Sequence, residues 1–161
     1  MATRYAALAC SWQGLTADRQ SVVRSTLAYM AEHPDVVDPF HPLVQRLREI
    51  CMAYPEVVEV RAWGRPTFRA GKRIFIVAGA TMNDPLSIIF KPDEDERLAY
   101  LERPGFFSPP YWGPGGWLAA PIDTNDPDWT ELAEIIDASY RSVALARQIK
   151  AIGVTGPNPL V

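Results

Sequence analysis

The residues with the most chemical capacity fall in two short windows. Arg61, Arg65, Arg69, Lys72 and Arg73 lie within 13 residues that contain no acid. Guanidinium groups grip phosphates through paired hydrogen bonds, and a protruding β-ribbon fits a nucleic-acid groove. Five such contacts would give a log–log salt slope near about −4.5. The competing reading is a solvated hairpin whose charges guard a sheet edge. The second window, residues 103–116, reads RPGFFSPPYWGPGG, with four prolines, four glycines and four aromatics in 14 residues. Phe106, Phe107, Tyr111 and Trp112, with Trp117 just beyond, are rigid rings on a stiffened backbone. Such rings suit a planar small molecule, a stacked base or a partner surface. The competing reading is a loop that folds its own rings over a sheet.

Other chemistries find less support. Asp93 to Glu96 form one acidic cluster, and Asp123, Asp126 and Asp128 another. Hard cations favour carboxylates, but both clusters stand where helices are expected to begin, and helix starts favour acids in any case. Asp123-Thr124-Asn125 opens like a calcium loop, yet Pro127 takes its fifth position and the required Gly is missing. No metal site and no cofactor are read from the chain. His33 and His41 sit beside prolines, and no HExxH, Cys/His cluster or nucleophile elbow is present. Cys10 and Cys51 form no CxxC, and Cys51 reads as a small core residue on an apolar helical face. Gly113-Pro114-Gly115-Gly116 lacks the ending of a phosphate loop. Trp63 and Trp129 read as core or sheet-face residues.

The whole chain bounds what these windows can do. Its 161 residues fit one domain with an appendage. Sixteen Lys and Arg against 19 Asp and Glu give a net charge of −3, which excludes a histone-like protein. No run approaches the roughly 20 apolar residues of a membrane helix, so no membrane partner is expected. The apolar stretch from Tyr5 to Cys10 is shorter than a signal-peptide core of about 7–15 residues, and the chain reads as cytoplasmic.

The elements that must position the two windows follow from pattern. Residues 1–40 read as an N-terminal extension: a helix from Thr16 to about Glu32, then the linker Asp38-Pro39-Phe40-His41-Pro42. The main domain spans 41–153, with a tail over 154–161. Leu43, Leu47, Ile50 and Tyr54 form one helical stripe, stopped by Pro55. Strands follow at 57–63, 67–69, 73–77 and 86–91, with Gly64-Arg65-Pro66 interrupting and Gly71 supplying a hairpin turn. Asp93 to Glu96 open a short helix, and a fifth strand runs from Trp117 to Ile122, with Pro121 marking an edge or a strand end. Asp126-Pro127-Asp128 starts a last helix, capped by Asp126 and buried through Leu132, Ile136, Tyr140, Val143 and Ile149. Short connections favour an antiparallel meander, so the order α-β-β-β-β-α-β-α predicts an α+β fold: about five antiparallel strands packed against the terminal helices.

Trp63-Gly64-Arg65-Pro66-Thr67-Phe68-Arg69 and Gly71-Lys72-Arg73-Ile74-Phe75 resemble the central signature of the MmcQ/YjbR family. The resemblance continues in Pro104-Gly105-Phe106-Phe107, Pro110-Tyr111, Gly116-Trp117, Asp128-Trp129 and Ser139-Tyr140-Arg141, and covers roughly residues 41–150. It implies a fold similar to frataxin and CyaY and a DNA-binding role through a double wing of hairpins. It implies no catalytic residues. The combined expectation is a non-enzymatic binding protein that holds DNA through Arg61, Arg65, Arg69, Lys72 and Arg73. The alternatives are a binder of a planar small molecule through Phe106, Phe107, Tyr111, Trp112 and Trp117, and a protein-interaction module.

Overall fold

The computed structural model describes residues 35–122 and 127–155. The expected helix from Thr16 to Glu32 and the acids Asp123 and Asp126 lie outside these residues. Helix α1 spans Pro42–Met52. Its first position is Pro42, whose missing N–H costs nothing there, and the His41 imidazole accepts from the Leu43 N–H at 3.3 Å. Val44, Leu47, Ile50 and Cys51 are its buried face.

Five strands follow in meander order: β1 Val57–Ala62, β2 Arg65–Ala70, β3 Arg73–Ala78, β4 Ser87–Phe90 and β5 Leu118–Pro121. Every neighbouring pair is antiparallel; the short connections favour this from β1 to β4, whereas β5 follows β4 only after a helix and the Pro/Gly loop. The fold is α+β, with the expected element order. Pro121 ends β5, which forms one edge of the sheet. One detail of the sheet differs from the sequence reading. Arg65 and Pro66 do not interrupt the chain; they begin β2, after a two-residue turn at Trp63-Gly64 with φ +52° and +71°. Pro66 is tolerated because it stands before Thr67↔Val77, the first β2–β3 pair. Gly71 does turn the next hairpin, at φ +64°.

Cross-strand partners share a face, and faces alternate along a strand. One face of the sheet carries Phe68, Phe75, Ile76, Ile88, Phe90, Leu118 and Ala120, packed with α1 and the later helices into the main core. Phe68, Phe75 and Phe90 are fully buried; burial of this kind contributes roughly 1.5–3 kcal/mol per side chain. Phe68 pairs with Ile76 and Arg69 with Ile74, so Phe75 is an extra residue on β3. This bulge lets Phe75 and Ile76 both enter the same core. The opposite face carries Val77, Ile89 and Ala119 in a smaller cluster.

After β4, helix α2 is confined to Arg97–Leu101, so the acids at 93–96 precede it rather than occupy its first turn. The last helical region is two helices, α3 Trp129–Val143 and α4 Ala146–Thr155, rather than one. Ala144 is extended, at ψ 152°, and the Gln148 side chain accepts from the Leu145 N–H at 2.7 Å, which starts the second helix. Helix α3 is capped by Asp128, not Asp126: its carboxylate accepts from Thr130 and Glu131 N–H groups at 3.0 and 3.1 Å. Ser139 and Tyr140 tie α3 to the sheet and its flank. The Ser139 hydroxyl donates to the Phe75 carbonyl at 2.6 Å and accepts from the Lys91 N–H at 2.9 Å. Tyr140, fully buried, donates from its hydroxyl to the Pro55 carbonyl at 2.7 Å.

Candidate functional site

The five basic residues do not form one surface. Arg61 pairs with Pro66 across β1–β2, and Arg73 with Ala70 across β2–β3. Ala70 belongs to the main core, and Val57, which shares the face of Arg61 on β1, packs against it too. Arg61 and Arg73 are therefore directed toward the helix side. Arg61 forms an ion pair with Asp35. Arg73 donates to the Val143 carbonyl at the end of α3, at 3.4 Å. Arg65 and Arg69 belong to the opposite, open face. Lys72 is exposed at the β2–β3 turn, about seven residues of strand, or roughly 23 Å, from Arg65.

Arg65 lies against the backbone rather than reaching into water. Its Nη1 donates to the Gly79 carbonyl and to the Ala80 carbonyl at 3.0 Å, and its Nε to the Trp63 carbonyl at 3.3 Å. Partial burial lowers its pKa from the usual arginine value, because desolvation disfavours the charged form. Arg69 is half-buried, with its Nε on the Thr67 hydroxyl at 3.3 Å.

The aromatic loop also divides. Phe106 is half-buried on the core side. It stacks on Tyr100 at 5.3 Å and 25°, with the Arg103 guanidinium 4.5 Å from its ring centroid. Phe107 bridges to Ala119 at the β5 edge and, with Trp112 and Trp117, covers the open-face cluster of Val77, Ile89 and Ala119. Part of the loop thus seals the sheet. Tyr111 does not: its side chain is 97% exposed.

Tyr111 and Trp112 share a cleft with Trp63 of the β1–β2 turn and Arg65, the first residue of β2. Trp63, Arg65, Tyr111 and Trp112 line a cleft of about 460 Å³. The Trp63 and Trp112 rings meet edge to face at 5.9 Å and 81°, and Trp112 meets Trp117 likewise at 5.2 Å. Trp63 is 48% exposed and takes part in this cleft, which its assignment from the sequence to the core or a sheet face missed.

The backbone of the cleft is strained. Three non-glycine residues have positive φ among the described residues: Glu56, Trp63 and Tyr111. Two of the three line this one cleft. Trp63 holds φ +52° at the first position of a tight hairpin turn, where Asn, Asp or Gly is the usual occupant. Tyr111 holds φ +67° while the Trp112 N–H bonds the Pro110 carbonyl at 2.8 Å. That i→i+2 bond closes a γ-turn of the rare, strained hand. The sequence signal for Trp63 was available: a bulky residue directly before Gly, between two β-rich segments.

Among the described residues no group of three or more His, Cys, Asp or Glu could hold a metal ion, and no helix is long and apolar enough to cross a membrane. Cys51 is fully buried, and burial pushes its thiol well above the usual range.

A family model described as YjbR matches residues 52–142, more than half of the chain. No curated protein matches the sequence significantly.

Proposed function

The chain belongs to the YjbR family, and on that footing we propose that it is a non-enzymatic binding protein whose ligand is a planar small molecule held between Trp63, Arg65, Tyr111 and Trp112. One observation carries the reading: two bulky aromatics are kept in left-handed backbone on the walls of the same cleft. Such conformations cost roughly 1–3 kcal/mol each and persist where the surrounding structure or a function requires them. The cleft volume of about 460 Å³ lies within the range of small-molecule sites, roughly 300–1,000 Å³. The rings supply broad apolar contact at low entropy cost. Arg65, pinned to two carbonyls, adds a fixed positive charge at the cleft wall.

The test is a tryptophan-fluorescence titration of the full chain with a panel of planar aromatic compounds. Saturable quenching by at least one of them is expected, weakened about two- to tenfold by Tyr111→Ala, the value of one aromatic contact. Absence of any saturable response across the panel refutes the reading.

A nucleic-acid partner is the second reading. Its support is Arg69 on the open face and Lys72 exposed at the β2–β3 turn. Of the five cations of the hairpin, Arg61 faces Asp35, while Arg65 and Arg73 are bonded to backbone carbonyls. Arg69 and Lys72 remain to meet phosphates, which lowers the expected salt slope to about −1.8. An anisotropy titration at several salt concentrations separates this from the planar-ligand reading, which predicts little salt dependence.

A further inference from the structure

A second cleft borders the Pro/Gly loop, and nothing in the reading above uses it. It measures about 500 Å³ and is lined by Lys91, Pro92, Glu94, Arg97 and the chain from Gly113 to Gly116. We propose that it is a binding site for a small oxyanion, a carboxylate or phosphate group gripped by Arg97 and Lys91.

Three observations converge there. First, the Nε of Arg97 is buried and has no hydrogen-bond partner. Buried polar groups are nearly always satisfied, and a guanidinium more so than most. Arg97 also lines the cleft, so a turn of its side chain toward a ligand there would give the Nε its missing acceptor, and the planar fork of arginine suits a two-oxygen grip. Second, the Lys91 ammonium is held at the same cleft by the Gly115 carbonyl, which accepts only one of its three protons. Third, Gly116 leaves room for that ammonium: it has φ +82°, and a Cβ there would lie 2.6 Å from Lys91 Nζ, so a larger residue would displace the end of the lysine side chain.

The charge around the cleft narrows the ligand. Glu94 lines it, and Asp93, Asp95 and Glu96 are exposed nearby. These acids repel a polyanion, so the site selects a compact, singly or doubly charged group over a phosphate chain.

The test is calorimetric titration of the full chain with inorganic phosphate and, separately, acetate, at ionic strength matched with sodium chloride. Saturable binding of at least one is expected, weakened about tenfold or more in Arg97→Gln, since a hydrogen bond to a charged group is lost. Because the Arg97 Nε is buried and bonds nothing in the protein, Arg97→Gln should melt at or above the wild type. Lys91→Met should weaken the same anion while leaving quenching by planar compounds unchanged, which separates this site from the aromatic cleft. No saturable binding of either anion, or equal binding by wild type and Arg97→Gln, overturns the proposal.

Discussion

Replacing Tyr111 with glycine should make the protein more stable. The ring is 97% exposed, so its deletion forfeits almost no buried surface. The backbone at φ +67°, closed by the Trp112 N–H to Pro110 carbonyl bond, costs a non-glycine residue roughly 1–3 kcal/mol. Glycine removes that cost but gains freedom in the unfolded chain worth about 0.4–1 kcal/mol. The balance is a gain of about 1 kcal/mol. Unfolding entropy of roughly 2.1 cal/mol/K per residue over a chain of this length converts that to about 3 °C in Tm. Calorimetric melting of Tyr111→Gly beside the wild type reads it directly. The same variant should bind a planar ligand about two- to tenfold less tightly. A lower Tm would refute the claim of strain. A higher Tm with undiminished affinity would mean that the strain serves something other than the cleft. Stability rising while binding falls is the signature of a residue kept for function at a cost in folding.

Three further outcomes follow from particular contacts. Tyr140→Phe keeps the buried ring but strips the Pro55 carbonyl of its donor; a loss of about 1–2 kcal/mol is expected, or some 3–6 °C by thermal melting. Arg65→Lys should destabilise almost as much as Arg65→Met, because a single ammonium cannot serve Trp63, Gly79 and Ala80 carbonyls in the fixed geometry of a fork; rescue by lysine in urea denaturation would contradict this. The Glu56 carboxylate is held below its usual value of 4.5, mainly by hydrogen bonding to Arg147 and with help from Gln148. A depressed folded-state value means that its contribution is present above that usual value and is lost as pH falls through the folded one. The Tm difference between wild type and Arg147→Gln should therefore shrink toward zero in acid; a difference that persists there would contradict the sign.

The meander was legible because its signals are local. Gly71 marks one turn, Asn83-Asp84-Pro85 lies between β3 and β4, and the first four strands are too closely spaced for crossovers. The amphipathic stripe of α1 announced its buried side through Leu47, Ile50 and Cys51. The break between α3 and α4 was not legible. It carries neither Pro nor Gly, and depends on a single side chain, Gln148, turning back to cap Leu145 and reaching Glu56. The division of the aromatic loop was half legible. Its composition announced irregular structure, but which rings seal the sheet and which stand free depends on where β5 pairs. Phe107 opposite Ala119 fixes that placement, and a lone bridge has no periodicity to betray it.

The basic window shows why a count of charges overstates a patch. A two-residue turn at Trp63-Gly64 forces Ala62 opposite Arg65 and Arg61 opposite Pro66. Opposed residues share a face, so Arg61 stands on the face of Pro66 and not on that of Arg65 or Arg69. The turn at Gly71-Lys72 sets Arg73 opposite Ala70 by the same rule, on the face of Phe68 and the core. Given these two turns, no hairpin pair could have gathered all five cations on one side. The side they leave is occupied by helices, and there the stray arginines are absorbed, one by Asp35 and one by the end of α3. On the open side Arg65 falls beneath the Trp63 turn, close enough to Tyr111 and Trp112 to share their cleft. The alternation that makes these segments strands thus separates the charges and brings one of them to the aromatics.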